Sequence, residues 1–338
     1  MSRILSKRML FGALAVVVVA AGILSLPTLL KLDVRYEQKK EFSAMREQFP
    51  VTVDPKDKTI TESPQVDAFL GSPGSPFEAA VQDAGNVFGR VFAWIAVAVG
   101  DSSWYQSIAG TDGRFVDITP GMRKEQVVNT FANVLGWNTN QKKQFLTASP
   151  YSPLPLSEGS FPAGVYLVTK DTTPLMAQAL VNQRFSEEIL NHYGTTTESV
   201  VPLKEALTVA SLIEREAGGP GDMRIISGII WNRLFIGMPL QIDATLQYVK
   251  ANSTTAMGWW PQVLPADRFR KSPYNTYLHT GLPPGPITTP SVAAVLAALN
   301  PEKTSCLFYF HDAAREFHCS DTYAEHVALL KKYYGQGK

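Results

Sequence analysis

The chain has 338 residues, 45% of them hydrophobic and 18% charged, and its 31 basic and 30 acidic side chains give a formal net charge of +1. That length and apolar content argue for a globular protein with one large or two modest cores. The near balance of charge leaves no basic footprint for a phosphate backbone, which excludes nucleic acid as an expected partner.

The N-terminus carries the first signal. From Met9 to Leu30, "MLFGALAVVVVAAGILSLPTLL" holds no charged residue, while Arg3, Lys7 and Arg8 precede it. As a helix the run would cover roughly 30 Å, the thickness of a bilayer's hydrocarbon core. The reading is a transmembrane anchor over 9–30, residues 1–8 in the cytoplasm and the remainder exported, as the leading basic residues favour. A signal peptide cleaved after "VVA" (18–20) is the alternative, but the apolar run continues well past that site. Residues 31–61 are polar and mixed in charge, as a linker or stalk would be. "VFAWIAVAVG" (91–100) is too short to span a bilayer and reads as a buried helix.

Residues 62–150 are expected to form a small N-terminal module. Within it, "RFVDITPGMRKEQVVNTFANVLG" predicts a strand, a turn at Pro120 and Gly121, and a helix with Val127, Val128, Phe131 and Val134 or Leu135 on its buried face. "SPYSPLPLSEGSFPAG" (149–164) marks a boundary. A second domain, 151–335, then shows helical patterns at 175–194, 202–217 and 222–237, each closed by glycine. Loop-rich "PLQIDATLQYV" and "SPYNTYLHTGLPPGPITTP" follow, then an Ala-rich helix at 291–299, a hairpin and a closing helix. Helices followed by a hairpin indicate an α+β fold with the site on loops. Cys306 and Cys319 flank that hairpin, and the sequence leaves open a disulfide between them or two packed thiols.

Two carboxylates stand out in "ASLIEREAGG" (210–219). At about 100° per residue, Leu203, Ala206, Leu207, Val209, Ala210, Ile213 and Ala217 form an apolar arc. Glu214 falls at one margin of it and Glu216 at the other, whereas Lys204, Thr208, Ser211 and Arg215 make the expected solvated face. Apolar neighbours raise a carboxyl pKa, and the helix C-terminus acts on Glu216 in the same direction, which suits a general acid. A helix-end ion pair of Glu216 with Arg215 or Arg224 is the structural alternative.

The blocks "ASLIEREA", "WNRLFIGMPLQIDATLQY", "SPYNTY", "GLPPGPI" and "SDTYAEH", in this order and spacing, resemble the signature blocks of the endolytic murein transglycosylases, a YceG-like family. The resemblance is strong over residues 155–335 and weaker over 110–150. It implies a single-span membrane protein with a LysM-like module and a catalytic domain outside the cytoplasmic membrane. It also implies cleavage of the β-1,4 bond between N-acetylmuramic acid and N-acetylglucosamine in nascent peptidoglycan, leaving a 1,6-anhydromuramyl end and releasing or terminating strands. No cofactor is expected.

Residue by residue, the resemblance makes Glu216 the catalytic acid. Asn232, Gln241, Asp243, Tyr248, Tyr274, Asn275 and Tyr277 become candidate groove residues, with Glu214 and Glu158 as candidate supports. "EGSFPAGVY" (158–166) is one residue shorter than the family block and lacks its aspartate, and Ala244 stands where a proline is usual. The expected partners are glycan strands, the membrane and peptidoglycan synthases. Competing readings are a hydrolytic muramidase using Glu216 with Asp243, and a non-catalytic peptidoglycan-binding scaffold. His279, His311, His318 and His326, with Glu325, fit no familiar metal-ligand spacing, so no metal is expected. "WW" (259–260) and "YY" (333–334) read first as packing.

Overall fold

The computed structural model describes residues 48–71, 113–150, 156–251 and 258–335. The expected anchor at 9–30, the apolar run at 91–100 and most of the linker lie outside the described residues. Among the described residues, no helix is long and apolar enough to cross a membrane.

The architecture is α+β. Two-residue strands β1 (Val53–Asp54) and β2 (Thr59–Ile60) pair with each other ahead of helix α1 (Pro64–Leu70). Strand β3 (Gly113–Ile118) leads into α2 (Lys124–Leu135) and α3 (Thr139–Leu146), and β4 (Gly164–Thr169) returns to pair antiparallel with β3, Phe115 opposite Leu167. Helix α4 (Pro174–Phe185) closes this lobe. Its core joins Val116 and Ile118 to Val127, Phe131, Phe145, Phe161, Tyr166 and Val181, so the helix face expected from Val127, Val128 and Phe131 is the buried one. The expected division between 150 and 151 falls between α3 and β4, two elements of this lobe.

The larger core is helical. Helices α5 (Thr195–Val200), α6 (Leu203–Glu216), α7 (Met223–Phe235), α8 (Asp243–Lys250) and α9 (Val292–Leu299) precede the hairpin β5 (Phe308–His311) and β6 (Phe317–Ser320), and α10 (Tyr323–Tyr334) ends the fold. Helix α9, "VAAVLAAL", is apolar on every side and buried from Ala293 to Leu299, as a helix enclosed on all sides must be. It packs on α6 and α7 through Ala and Leu side chains. Gly228 lets the segment that follows α9 lie against α7: a Cβ there would collide with the Glu302 carbonyl oxygen.

Two expectations are corrected. "PLQIDATLQYV" is not all loop, because its second half is α8, with Ala244, Thr245 and Leu246 buried and the Ile242 N–H held by Thr276 Oγ1 at 3.0 Å. The middle of the α6 face assigned to solvent is covered: Lys204 is exposed as expected, but Thr208 and Ser211 are buried, and Ser211 Oγ accepts the Ile287 N–H at 3.1 Å. The cover is "GLPPGPI" and the residues after it, which also bond back to the smaller lobe through Gly121 N–H to Thr289 O and Thr289 N–H to Met122 O. Helical periodicity cannot register this, since it records polarity and not what a distant loop lays on top.

Candidate active site

Glu216 is the last residue of α6, partly exposed, with groups from β5 and α8 about its carboxylate. Tyr309, on β5, donates its hydroxyl to Glu216 Oε2 at 2.8 Å. The Ala244 N–H, in the first turn of α8, also bonds to the carboxylate, and Asp243 and Arg215 act on it through space. Burial outweighs the stabilising groups and raises the Glu216 pKa; the Asp243 charge adds to the rise, while the Tyr309 and Ala244 bonds and Arg215 oppose it. Tyr309 itself is pushed well above the ordinary phenol value, by burial first and by the Glu216 charge second.

Neither arginine of the ion-pair alternative takes the carboxylate. Arg224 pairs with Asp67 at 2.7 Å and donates to the Asn300 carbonyl, and Arg215 lies over the Trp260 ring at 4.0 Å. Among the described residues no cation comes within salt-bridge distance of Glu216. Its neighbour Asp243, exposed at the start of α8, accepts the Tyr277 hydroxyl at 2.6 Å. Just before it, Gln241 has an exposed side chain on a backbone with φ of 53°, fixed by its N–H to the Thr276 carbonyl at 3.0 Å. A left-handed backbone is uncommon for a residue with a Cβ and is found at sites where the surroundings dictate it.

Glu158, Tyr248 and Tyr274 form a second group. Glu158 accepts the Lys124 N–H at 2.8 Å and the Tyr248 hydroxyl at 3.3 Å. Burial raises its pKa from 4.5 to about 8. Tyr248 packs on Tyr274 with ring centres 5.0 Å apart, and the Arg123 guanidinium sits over Tyr248 at 4.4 Å. The two groups are the two ends of α8, Asp243 at its start and Tyr248 near its finish.

Three further candidates are bonded within the fold. Glu214 accepts both the N–H and the hydroxyl of Ser291, the N-cap of α9, at 2.9 and 2.7 Å, so it braces one core helix against another. Asn232 donates to the carbonyls of Thr304 and Cys306. Asn275 is fully buried, donating to the carbonyls of Arg268 and Arg270 and accepting from the Tyr277 N–H. Asn232 thus holds the segment leading into β5, and Asn275 the loop that carries Tyr274 and Tyr277.

The hairpin supplies what sequence reading missed. Tyr309 was not among the candidates, although alternation in "FYFH" places it with His311 on one face of β5. Arg233 was also missed; it donates to the Leu307 and Leu240 carbonyls and so ties the hairpin to the turn before α8. Cys306 and Cys319 are joined in a disulfide that closes the hairpin. Trp259 and Trp260 stack under Arg123 and Arg215. Asp312, Glu316 and His318 offer donor atoms within 4.8 Å of one another. Asp312 already accepts from the Ala314 and Glu316 N–H groups and pairs with His318 at 2.9 Å.

A sequence profile of the YceG-like family matches residues 101–332, well over half of the chain. The chain belongs to the YceG-like family. Over 268 residues it is 31% identical to an endolytic murein transglycosylase of Bacillus subtilis, an alignment covering 78% of this chain and 67% of that protein. It is 30% identical over 155 residues to an endolytic murein transglycosylase of Streptococcus pneumoniae, covering 45% of this chain and 27% of the other. In structure it is similar to a YceG-like protein from Listeria monocytogenes, with a TM-score of 0.53 at 23% identity, over 64% of this chain and 75% of that one. That likeness bears on the fold.

Proposed function

We propose that this YceG-like protein is an endolytic peptidoglycan lytic transglycosylase with Glu216 as its single acid and base. The observation that carries the reading is a carboxyl with a raised pKa, free of any salt bridge among the described residues and oriented by Tyr309 at the end of α6. Such a group stays protonated nearer to neutrality than an ordinary glutamate and can donate to a leaving oxygen.

In the proposed reaction Glu216 protonates the glycosidic oxygen between N-acetylmuramic acid and N-acetylglucosamine, and the C1–O4 bond breaks. The muramyl 6-hydroxyl then attacks C1 of the same sugar and gives its proton to the Glu216 carboxylate. The acid is restored, and the products are a 1,6-anhydromuramyl end and a free 4-hydroxyl. No water is consumed. Gln241, Asp243, Tyr277, Tyr248 and Tyr274 would line the glycan path, Asn232 and Asn275 would hold its loops, and Glu158 would support the far end.

The wider reading places a membrane anchor at 9–30, a linker over 31–61, a LysM-like module within 62–150 and the catalytic domain, 151–335, outside the cytoplasmic membrane near peptidoglycan synthases. The uncharged N-terminal run supports the anchor, and the relatives' names support action on murein. A second reading rests on Asp243, close enough to raise the Glu216 pKa: a hydrolytic muramidase in which Asp243 activates water or attacks C1. Digestion of purified glycan strands by the full-length chain in water enriched in heavy oxygen separates the two. Anhydro ends without label support the transglycosylase; reducing ends carrying label support the muramidase; strands bound but uncut support a scaffold.

A further inference from the structure

Glu216 is followed at once by a turn whose shape is set by one aspartate. Asp222 accepts the Gly218 N–H at 2.9 Å and the Gly219 N–H at 3.2 Å. Its Oδ2 also lies 2.6 Å from His311 Nε2. Gly218 is packed so closely that a Cβ would stand 2.9 Å from that histidine nitrogen and 3.2 Å from the aspartate oxygen. His311 is fixed in turn: its ring meets the Phe317 edge at 5.5 Å, and its carbonyl accepts the Tyr334 hydroxyl from α10. Phe317 stacks on Tyr309 at 5.9 Å, so one ring steadies both side chains.

We propose that His311, through Asp222, is a positioning residue for Glu216. Tyr309 and His311 project from the same face of β5, two residues apart. One grips the carboxyl; the other grips the turn that leaves it. Bonds to the carboxyl alone, from Tyr309 and the Ala244 N–H, would leave the backbone of the last turn of α6 free to fray about its C-terminus, where carbonyls have no helical partners. The second grip, on the backbone two residues later, removes that freedom. A general acid must sit within about 3 Å of the oxygen it protonates, and a displacement of about 1 Å costs on the order of a hundred-fold in rate. The inference rests on Glu216 being the acid of the proposed reaction.

The test is a set of full-length variants assayed on purified glycan strands, with the folded fraction measured by thermal melting. His311→Ala is expected to lower kcat per folded molecule by about ten-fold or more with KM changed less than about two-fold. His311→Gln, which keeps a donor of similar reach, should recover most of that loss. Combined with Tyr309→Phe, His311→Ala should add less than its separate effect, because both act on one carboxyl. If His311→Ala does not fold, Asp222→Asn replaces it, with the same loss in kcat expected.

A side chain that only docks the hairpin would lower the melting temperature and leave kcat per folded molecule unchanged. That outcome overturns the inference, as does a loss that glutamine fails to restore. A wild-type chain that cuts strands while His311→Ala cuts equally well removes this inference alone. A wild-type chain that cuts nothing removes the proposed function and this inference with it.

Discussion

Tyr309 and Glu216, 93 residues apart in the chain, meet in a 2.8 Å hydrogen bond that joins the terminal hairpin to the end of α6. The bond favours the ionised carboxylate, so it holds the Glu216 pKa below where burial alone would put it. Tyr309→Phe should therefore raise that pKa. As a proton donor Glu216 loses activity when pH rises through its folded pKa, so the alkaline limb of the kcat profile is expected to move to higher pH. The maximum should fall by about ten-fold as the carboxyl loses its orientation. Rates across the pH range check this; an alkaline limb that stays put would count against the bond's role.

Glu158 gives a stability prediction of definite sign. Its pKa rises from 4.5 to about 8 on folding, mainly through burial. Below 4.5 the group is protonated folded or unfolded, and burial of the charge costs nothing. As pH rises from 4.5 towards 8 the unfolded chain ionises while the folded one does not, and stability falls. Glu158→Gln keeps an acceptor for the Lys124 N–H and removes this loss. The variant is expected to be more stable than wild type by on the order of 2 kcal/mol at pH 7, and equal to it below pH 4.5. Urea melts at the two pH values measure the difference.

Glu214 and Glu216 should separate cleanly under substitution. Glu214→Ala strips the Ser291 N–H and hydroxyl of their shared acceptor at the start of α9, with an expected cost of about 1–3 kcal/mol. The cleavage rate per folded molecule should be little changed. Glu216→Gln should do the reverse, abolishing cleavage while strand binding and melting temperature hold. Denaturant titration and product analysis on the same two preparations decide it.

The disulfide between Cys306 and Cys319 spans 13 residues and closes the hairpin that carries Tyr309 and His311. Removing it by Cys306→Ser with Cys319→Ser, or by reductant, is expected to cost about 2–4 kcal/mol of stability. Activity should fall with it, because strand β5 delivers Tyr309 to Glu216. Melting curves and initial rates with and without reductant test both parts; activity indifferent to reduction would mean that the strand pairing alone holds the tyrosine in place.

What was legible in the sequence follows from how local each signal is. Helical spacing in 203–216 placed both glutamates against apolar surroundings, and the αβ pattern of 114–136 placed Val127, Val128 and Phe131 in a core, because period and polarity are properties of a few adjacent turns. The ordered blocks made Glu216 the candidate acid and marked the family. Polarity along α6 misled about Thr208 and Ser211, since a loop some 76 residues away supplies their cover. Amide types in "WNRL" and "SPYNTY" suggested groove residues and "IEREA" a supporting glutamate. The bonds that Asn232 and Asn275 make to loop carbonyls, and Glu214 to the start of α9, depend on segments outside those blocks.

By itself, then, the chain's order of residues determined an α+β fold, a carboxyl at the end of a helix beside apolar neighbours, and a cysteine pair about one hairpin. Only tertiary structure decided which groups surround that carboxyl: Tyr309 from the hairpin, Ala244 and Asp243 from α8, and Arg215 acting through space, with no salt bridge to it among the described residues. The reason is physical. Helix formation depends on neighbours three and four residues away, whereas the charge state of a buried acid depends on desolvation and on donors brought from anywhere in the chain, which no local pattern records.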